Sequence, residues 1–567
     1  MTLLSLLLAA IAPTVQPPTF PNAAVAADHQ IASETGLEVL RAGGNAVDAA
    51  VAVSFTLSVV RPESCGIGGG GFMLIHLNTP QGPKDIALNY REQAFAKASA
   101  DYYVNKADDL ASTRGGAAVA IPGTVAGLLH AQATYGKLDR AAVLTPAIRA
   151  AVTGFRADAH ILESVKGAHA LFEKRPDFAA RFSDLDRRYL RGGGLKSGEL
   201  ITNPEHAQAL ELIARDGAAA FYSGPIAHAI VRAIQSDGGD ITLADLASFK
   251  VETLTPFSIN FRGDTILTMP PPSSGGVVVG EILGILQRRP DDLAAAIAAG
   301  PTSAAYIHLV AEASKHGFAD RARWLGDSAS ARAAATHLTS PAYLDDLASR
   351  IDSGAVLPQE RYGSTPPSPA APAEDGGTSH FCVIDAMGNA VSCTETINLE
   401  FGSFLVVPEY GFLLNDQMDD FTARPGKANA FGLKQSEANA PGPGKRPLSS
   451  MTPTIVTRNG SVKLLVGASG GPRIISGTLQ TALKVLLFDQ PASDAVASPR
   501  FHHQWDPDIL GLERTLLSSP AAEELKTLGH AVRARGDVSH TQLIRVRDDG
   551  TKEPASDPRK GGVPAGY

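Results

Sequence analysis

Apolar residues between Ala26 and Val60 recur with helical spacing: Ile31, Leu37 and Leu40 share one stripe, and Val47, Val51 and Phe55 repeat every four positions. The pattern predicts helix across this stretch, broken at Gly43-Gly44. Cys65 to Gly71 is then a glycine loop leading into Phe72-Met73-Leu74-Ile75-His76-Leu77, an apolar run of strand length. Helix, glycine loop, strand is the reverse of a phosphate-binding loop, which also needs a Lys-Ser/Thr pair that is missing here. These glycines instead predict close backbone approach, since no Cβ stands in the contact. From about residue 140 to 350, Ala, Leu and charged residues at helical spacing, as in 207–214 and 304–322, predict packing helices. Pro270 to Gly276 reads as a rigid turn before a helix, with Ser273 and Ser274 as candidate caps. No internal repeat is visible.

The sharpest change in pattern lies at residues 357–377. Four prolines between Pro366 and Pro372 exclude helix and central strand, so the segment reads as extended and exposed, a linker by composition. Strand pattern begins immediately after Gly377: Thr378 to Asp385, a turn at Met387-Gly388-Asn389, then Ala390 to Thr396. With the turn at 386–389, the hairpin brings Thr378 beside Thr396 or Ile397, so two hydroxyls meet at its open end. Alone, they are ordinary strand threonines. The preceding Gly-Gly segment changes their meaning, because a cut before Thr378 would free an amine able to act as base for its hydroxyl.

Composition narrows the class. The 567 residues are 44% hydrophobic and 19% charged, as in an ordinary soluble protein, and aromatics are 6%, so the core is mainly Ala, Val, Leu and Ile. The length allows several domains or one large core. A net charge of −8 with no dense basic run argues against nucleic acid. Cys65, Cys382 and Cys393 have no C-x-x-C spacing and offer neither a disulfide framework nor a thiolate zinc site. Leu3 to Ala12, ending Ala10-Ile11-Ala12, resembles a signal-peptide core without its basic start and is too short to span a bilayer, which takes about 20 residues. It predicts an exported, periplasmic or extracellular protein with residues 1–20 as leader; the alternative is a plain N-terminal tail or a misplaced start, with a cytoplasmic protein.

Gly-Gly-Thr-Ser-His of 376–380, Thr-Ile-Asn of 396–398, Leu-Asn-Asp-Gln-Met-Asp-Asp-Phe of 414–421, Lys-Arg-Pro-Leu-Ser-Ser-Met of 445–451, Gly-Ala-Ser-Gly-Gly of 467–471 and the terminal Ala-Gly-Tyr resemble the γ-glutamyltransferases, or glutathione hydrolases. Gly-Gly-Asn-Ala-Val-Asp-Ala-Ala of 43–50, the Gly68–Gly71 run, Tyr-Arg-Glu of 90–92 and Pro-Gly-Thr-Val-Ala-Gly of 122–127 are similar to the same family in the same order. The resemblance implies an α+β fold, the four-layer αββα sandwich of N-terminal-nucleophile hydrolases. It also implies a precursor cut between Gly377 and Thr378 into a large subunit (21–377, with 357–377 as processing segment) and a small catalytic subunit (378–567).

By the same resemblance Thr378 is the nucleophile in both self-cleavage and turnover, Thr396 steers its hydroxyl, and Gly470 and Gly471 give the oxyanion donors. Arg91, Ser449 and Ser450 would hold the α-carboxylate of a γ-glutamyl group, and Asn398, Gln417 and Asp420 its ammonium. Residues 421–446 match a lid, with Phe431 where several members carry tyrosine, so closure would be looser. Read alone, Asp419-Asp420 is a candidate cation site, Ser449-Ser450 a cap, Arg91-Glu92 a surface pair and Gly470-Gly471 a turn. The implied substrates are glutathione and related γ-glutamyl amides, with amino acids or peptides as acceptors and no metal or organic cofactor. An acylase for other amides and a non-catalytic relative are the alternatives. The ammonium-binding set argues against glutaryl groups, which lack an α-amine.

Overall fold

The computed structural model describes residues 18–363 and 376–567. Two antiparallel sheets lie face to face. In chain order the first contains β1 (Ala24–Ala27), β2 (Gly70–Thr79), β3 (Gly82–Asn89), β4 (Glu252–Leu254), β7 (Gly376–Ile384), β8 (Ala390–Leu399) and β13 (Ala565–Gly566), arranged β13-β1-β7-β8-β2-β3-β4. The second contains β5 (Phe257–Phe261), β6 (Asp264–Thr268), β9 (Thr454–Arg458), β10 (Ser461–Ser469), β11 (His540–Val546) and β12 (Lys552–Ser556), arranged β12-β11-β10-β9-β6-β5.

Alternation along β7 explains the layers. Cys382 and Ile384 point into the core between the sheets, whereas Phe381 and Val383 point into the core beneath helices α1 (Gln30–Arg41) and α2 (Ala46–Val60). Both faces are covered, so the strand reads as a nearly unbroken apolar run. Small side chains at Ala24, Ala26, Ala87, Ala390 and Ala468 line the gap between the sheets, with Phe72, Leu74 and Leu465 filling it. Helices α3 (Gly275–Gln287), α4 (Ala304–Trp324) and α5 (Arg473–Phe488) share the core on the far side of the second sheet. The result is the αββα order. Strands of one sheet come from both sides of the Gly377–Thr378 bond, so the parts before and after it share one core.

Several local expectations change. Ala26 and Ala27 belong to β1, where pairing to β7 overrides the helical stripe. Strands β4, β5 and β6 interrupt the middle region read as helices. Of the two candidate caps, Ser273 Oγ accepts from Gly275 N, the first N–H of α3, at 3.1 Å, whereas Ser274 stands at the N-cap without a side-chain cap bond and instead donates to Ser449 O at 2.6 Å. Leu357 and Tyr362 are buried rather than exposed, the Tyr362 hydroxyl donating to Glu312 at 2.5 Å, while the prolines 366–372 lie outside the described residues. The apolar stretch 3–12 also lies outside them, but Phe20, assigned to the leader by sequence, exchanges two backbone hydrogen bonds with Lys552. Among the described residues no helix is long and apolar enough to cross a membrane.

Candidate active site

The site grows from the open end of the β7–β8 hairpin. Thr378 pairs with Thr396, one of the two partners the turn allowed, and a bulge after Thr396 then sets Asn398 opposite Gly377. The bulge twists the strand and puts Asn398 at φ +81°. It also turns the Asn398 N–H onto Thr396 Oγ1 at 2.8 Å.

The hydroxyl protons follow from this arrangement. Thr396 Oγ1 lies 2.5 Å from Gly377 O and 3.0 Å from Thr378 Oγ1. A carbonyl only accepts, so the single Thr396 proton goes to Gly377 O, and the Asn398 N–H fills one of its lone pairs. Thr378 must then donate to Thr396. The pair therefore polarises the carbonyl before Thr378 while drawing the proton from the Thr378 oxygen, which is what attack on that carbonyl needs.

Glycines let the surrounding backbones close in. A Cβ on Gly69 would lie 2.1 Å from Thr396 O, and one on Gly68 2.1 Å from Leu413 O, so the Gly68–Gly71 run makes the close approach its composition predicts. At Gly377 a Cβ would meet two backbone oxygens, Glu63 O at 2.5 Å and Leu399 O at 2.7 Å. Neither can move as a side-chain tip would. Gly377→Ala is accordingly expected to shift the bond before Thr378 and slow any cleavage there by at least about tenfold, because small misplacements of reacting atoms are costly. A gel time course showing an unchanged rate would refute that constraint.

The remaining predicted residues surround the threonines. Arg91, Asn398, Gln417, Asp420, Phe431, Ser449, Ser450 and Gly471 line one pocket with Thr378 and Thr396; Gly470 lies just outside it. Gly470 and Gly471 form a turn with φ +123° and +57° between β10 and α5. Their N–H groups enter no hydrogen bond among the described residues, and they precede a helix N-terminus, which favours negative charge. Phe431 from the 421–446 loop rests on this turn: a Gly471 Cβ would lie 2.6 Å from its ring.

Arg91 and Asp420 were expected to hold opposite ends of a ligand. Here they hold each other, Arg91 Nη2 donating to Asp420 Oδ2 at 2.6 Å, and Gln417 Nε2 donates to the same oxygen at 2.7 Å. Gln417 Oε1 is buried with no partner among the described residues. Ser449 Oγ accepts from Met451 N at 3.1 Å rather than capping a helix, and Arg91-Glu92 is wholly buried, not a surface pair. Burial pushes the Glu92 carboxyl up to about 7, against the pull of Arg91. Asp419 turns away from Asp420 to accept from Ser112 Oγ at 2.8 Å and Ala430 N at 2.9 Å, so the two carboxylates do not converge as a cation site. Only about 20 Å³ remains free in the pocket, room for about one water. A larger ligand needs the Arg91–Asp420 pair and the Phe431 loop to part.

Two residues escaped the sequence. Lys560 Nζ donates to Thr378 O at 2.5 Å and pairs with Asp28 at 2.7 Å, tying the Thr378 backbone to both termini of the fold. Arg321, on α4, donates to Ser274 and Ser450 behind the pocket. Both lie in unremarkable charged stretches, and nothing local to either marks it.

The sequence profile of the family described as Gamma-glutamyltranspeptidase matches residues 32–567. The "Glutathione hydrolase proenzyme" of Pseudomonas aeruginosa is 42% identical, covering 96% of this chain and 94% of its own. That of Escherichia coli is 38% identical over 96% and 91%. Among solved structures, a cephalosporin acylase from Bacillus halodurans superposes with a TM-score of 0.84 at 25% identity, covering 100% of this chain and 99% of its own. The γ-glutamyltranspeptidase of Pseudomonas nitroreducens gives 0.53 at 36% identity, covering 59% of this chain and 96% of its own.

Proposed function

This chain belongs to the gamma-glutamyltranspeptidase family, and from that premise we propose that Thr378 carries its chemistry, first on its own chain and then on substrate. The protein is a γ-glutamyltransferase and glutathione hydrolase made as a self-cleaving proenzyme. The observation that carries the assignment to Thr378 is the hydroxyl chain from Thr378 through Thr396 to Gly377 O.

In the precursor, Thr378 Oγ adds to the Gly377 carbonyl carbon as Thr396 stabilises the developing oxyanion. The Gly377–Thr378 C–N bond breaks, its nitrogen takes up the proton lost from the hydroxyl, and an ester links Gly377 to Thr378 Oγ. Water hydrolyses the ester, leaving a Gly377 carboxylate and a free Thr378 amine. That amine is the base for the second nucleophilic role of Thr378. The Lys560 ammonium, bonded to Thr378 O, holds the backbone that carries this amine in place. The hydroxyl then attacks the γ-carbonyl of the donor, the Gly470 and Gly471 N–H groups stabilise the oxyanion, and the leaving amine departs. Water completes hydrolysis; an amino-acid or peptide amine completes transfer.

The Arg91–Asp420 pair suits a zwitterionic donor. On binding, the α-carboxylate replaces Asp420 on Arg91 and the α-ammonium replaces Arg91 on Asp420, so neither buried charge loses a partner. Gln417 Oε1 and Asn398 complete the ammonium end, Ser449 and Ser450 the carboxylate end. The acylase likeness offers a second amide class, but a glutaryl group has no ammonium to satisfy Asp420 and Gln417.

The direct test is release of p-nitroaniline from γ-glutamyl-p-nitroanilide, with and without glycylglycine as acceptor. Turnover in both, faster with the acceptor, is expected; no release from fully processed protein would sink the assignment. Asp420→Ala should raise KM for this substrate at least about tenfold, the scale of a lost charge-assisted hydrogen bond, while self-cleavage stays close to wild type. Equal loss of both would mark a folding defect.

A further inference from the structure

Arg321 is buried to 2% exposure, yet among the described residues its guanidinium has no carboxylate within hydrogen-bond or ion-pair range. Nε donates to Ser274 Oγ at 2.9 Å and Nη2 to Ser450 Oγ at 3.3 Å, and Nη1 is orphaned among the described residues. Ser274 in turn donates to Ser449 O at 2.6 Å, so one guanidinium braces the Ser449-Ser450 turn from behind. A hydroxyl that accepts from a guanidinium keeps its own proton to give elsewhere. Ser450 lines the pocket, and its hydroxyl donates to no acceptor among the described residues.

We propose that Arg321 is a positioning and specificity residue for the α-carboxylate of the donor: it orients the Ser450 proton toward that carboxylate and supplies a second positive charge behind Arg91. The inference rests on the γ-glutamyl reading of the pocket. Arg321 feels both Asp420 and Arg91, and although burial lowers its pKa to about 10, it stays charged at neutral pH. A bound carboxylate pairs directly with Arg91 and also feels this second cation through the Ser450 hydroxyl. Ligands carrying a carboxylate at this position are selected over neutral ones.

The test compares γ-glutamyl-p-nitroanilide with its α-methyl ester, using wild type, Arg321→Met, Arg321→Lys and Ser450→Ala, with self-cleavage followed on a gel. Arg321→Met is expected to cleave itself normally and to keep kcat within about threefold. Its KM for the free acid should rise about tenfold or more, the usual scale for a charged hydrogen bond. Its KM for the ester should barely move, so the preference collapses, and Arg321→Lys should recover part of it. Equal loss on both substrates, or no loss on either, overturns the proposal. Should the methionine variant fail to fold, Arg321→Lys combined with Ser450→Ala decides: non-additive losses support the relay and additive ones refute it. Wild type that does not turn over the free acid refutes the γ-glutamyl reading itself, and wild type indifferent to esterification overturns the role of Arg321.

Discussion

Replacing Thr378 by alanine is expected to leave the polypeptide whole and the protein inactive. Wild type should resolve on a denaturing gel as two bands, with the smaller beginning at Thr378 by N-terminal sequencing; Thr378→Ala should run as one. Turnover should fall by at least about 10⁴-fold, the scale of deleting a covalent nucleophile. The fold should survive, because alanine at 378 keeps the strand pairing with Thr396 and the Lys560 bond to the backbone carbonyl. Cleavage at Gly377–Thr378 in the alanine variant would mean that some other group attacks, and the whole scheme would fall.

Thr396→Val should have the next largest effect, because it removes three polar contacts while keeping shape. The valine cannot donate to Gly377 O, accept from Thr378 or receive the Asn398 N–H. Self-cleavage should slow by about 10²–10³-fold, the usual consequence of losing one oxyanion donor. Thr396→Ser, which restores the hydroxyl, should process within a few-fold of wild type. The measurement is the half-life of the precursor band after rapid purification. A valine variant that matures at the wild-type rate would show that Thr396 only fills space, and a serine variant as slow as valine would show that the methyl group matters more than the hydroxyl.

The two experiments separate chemistry that shares one oxygen. In the proposed scheme Thr378 is needed for both steps, whereas Thr396 acts on Gly377 O only before the cut and afterwards keeps only its contacts with Thr378 Oγ and Asn398. A larger effect of Thr396→Val on maturation than on turnover by the matured fraction is therefore expected.

Much of this was legible in the chain. The strand pattern after Gly377 and the turn at 386–389 were enough to bring Thr378 to Thr396 or Ile397, because hairpin pairing is local and its register is set by the turn. The glycine run before β2 announced close backbone contact, since nothing but glycine tolerates an oxygen 2.1 Å from the Cβ position. Other features were hidden by packing. Ala26 and Ala27 fell in a stretch read as helix yet pair with β7 as the end of β1, and β4 to β6 vanish among helices because short strands leave too little period to read.

What the sequence determined alone was the neighbourhood of Thr378: a Gly-Gly-Thr strand start, a second threonine at hairpin distance, and the ordered motifs around them. What only the tertiary structure decided was how distant charges meet. Arg91 and Asp420, 329 positions apart, close on each other; Lys560 reaches Thr378 across 182; and Arg321 stands behind Ser450 across 129. Such contacts leave no periodic trace, because a buried charge is placed by the sheet and helix that carry it, and its partner is chosen by three-dimensional proximity in a medium where an uncompensated charge is costly.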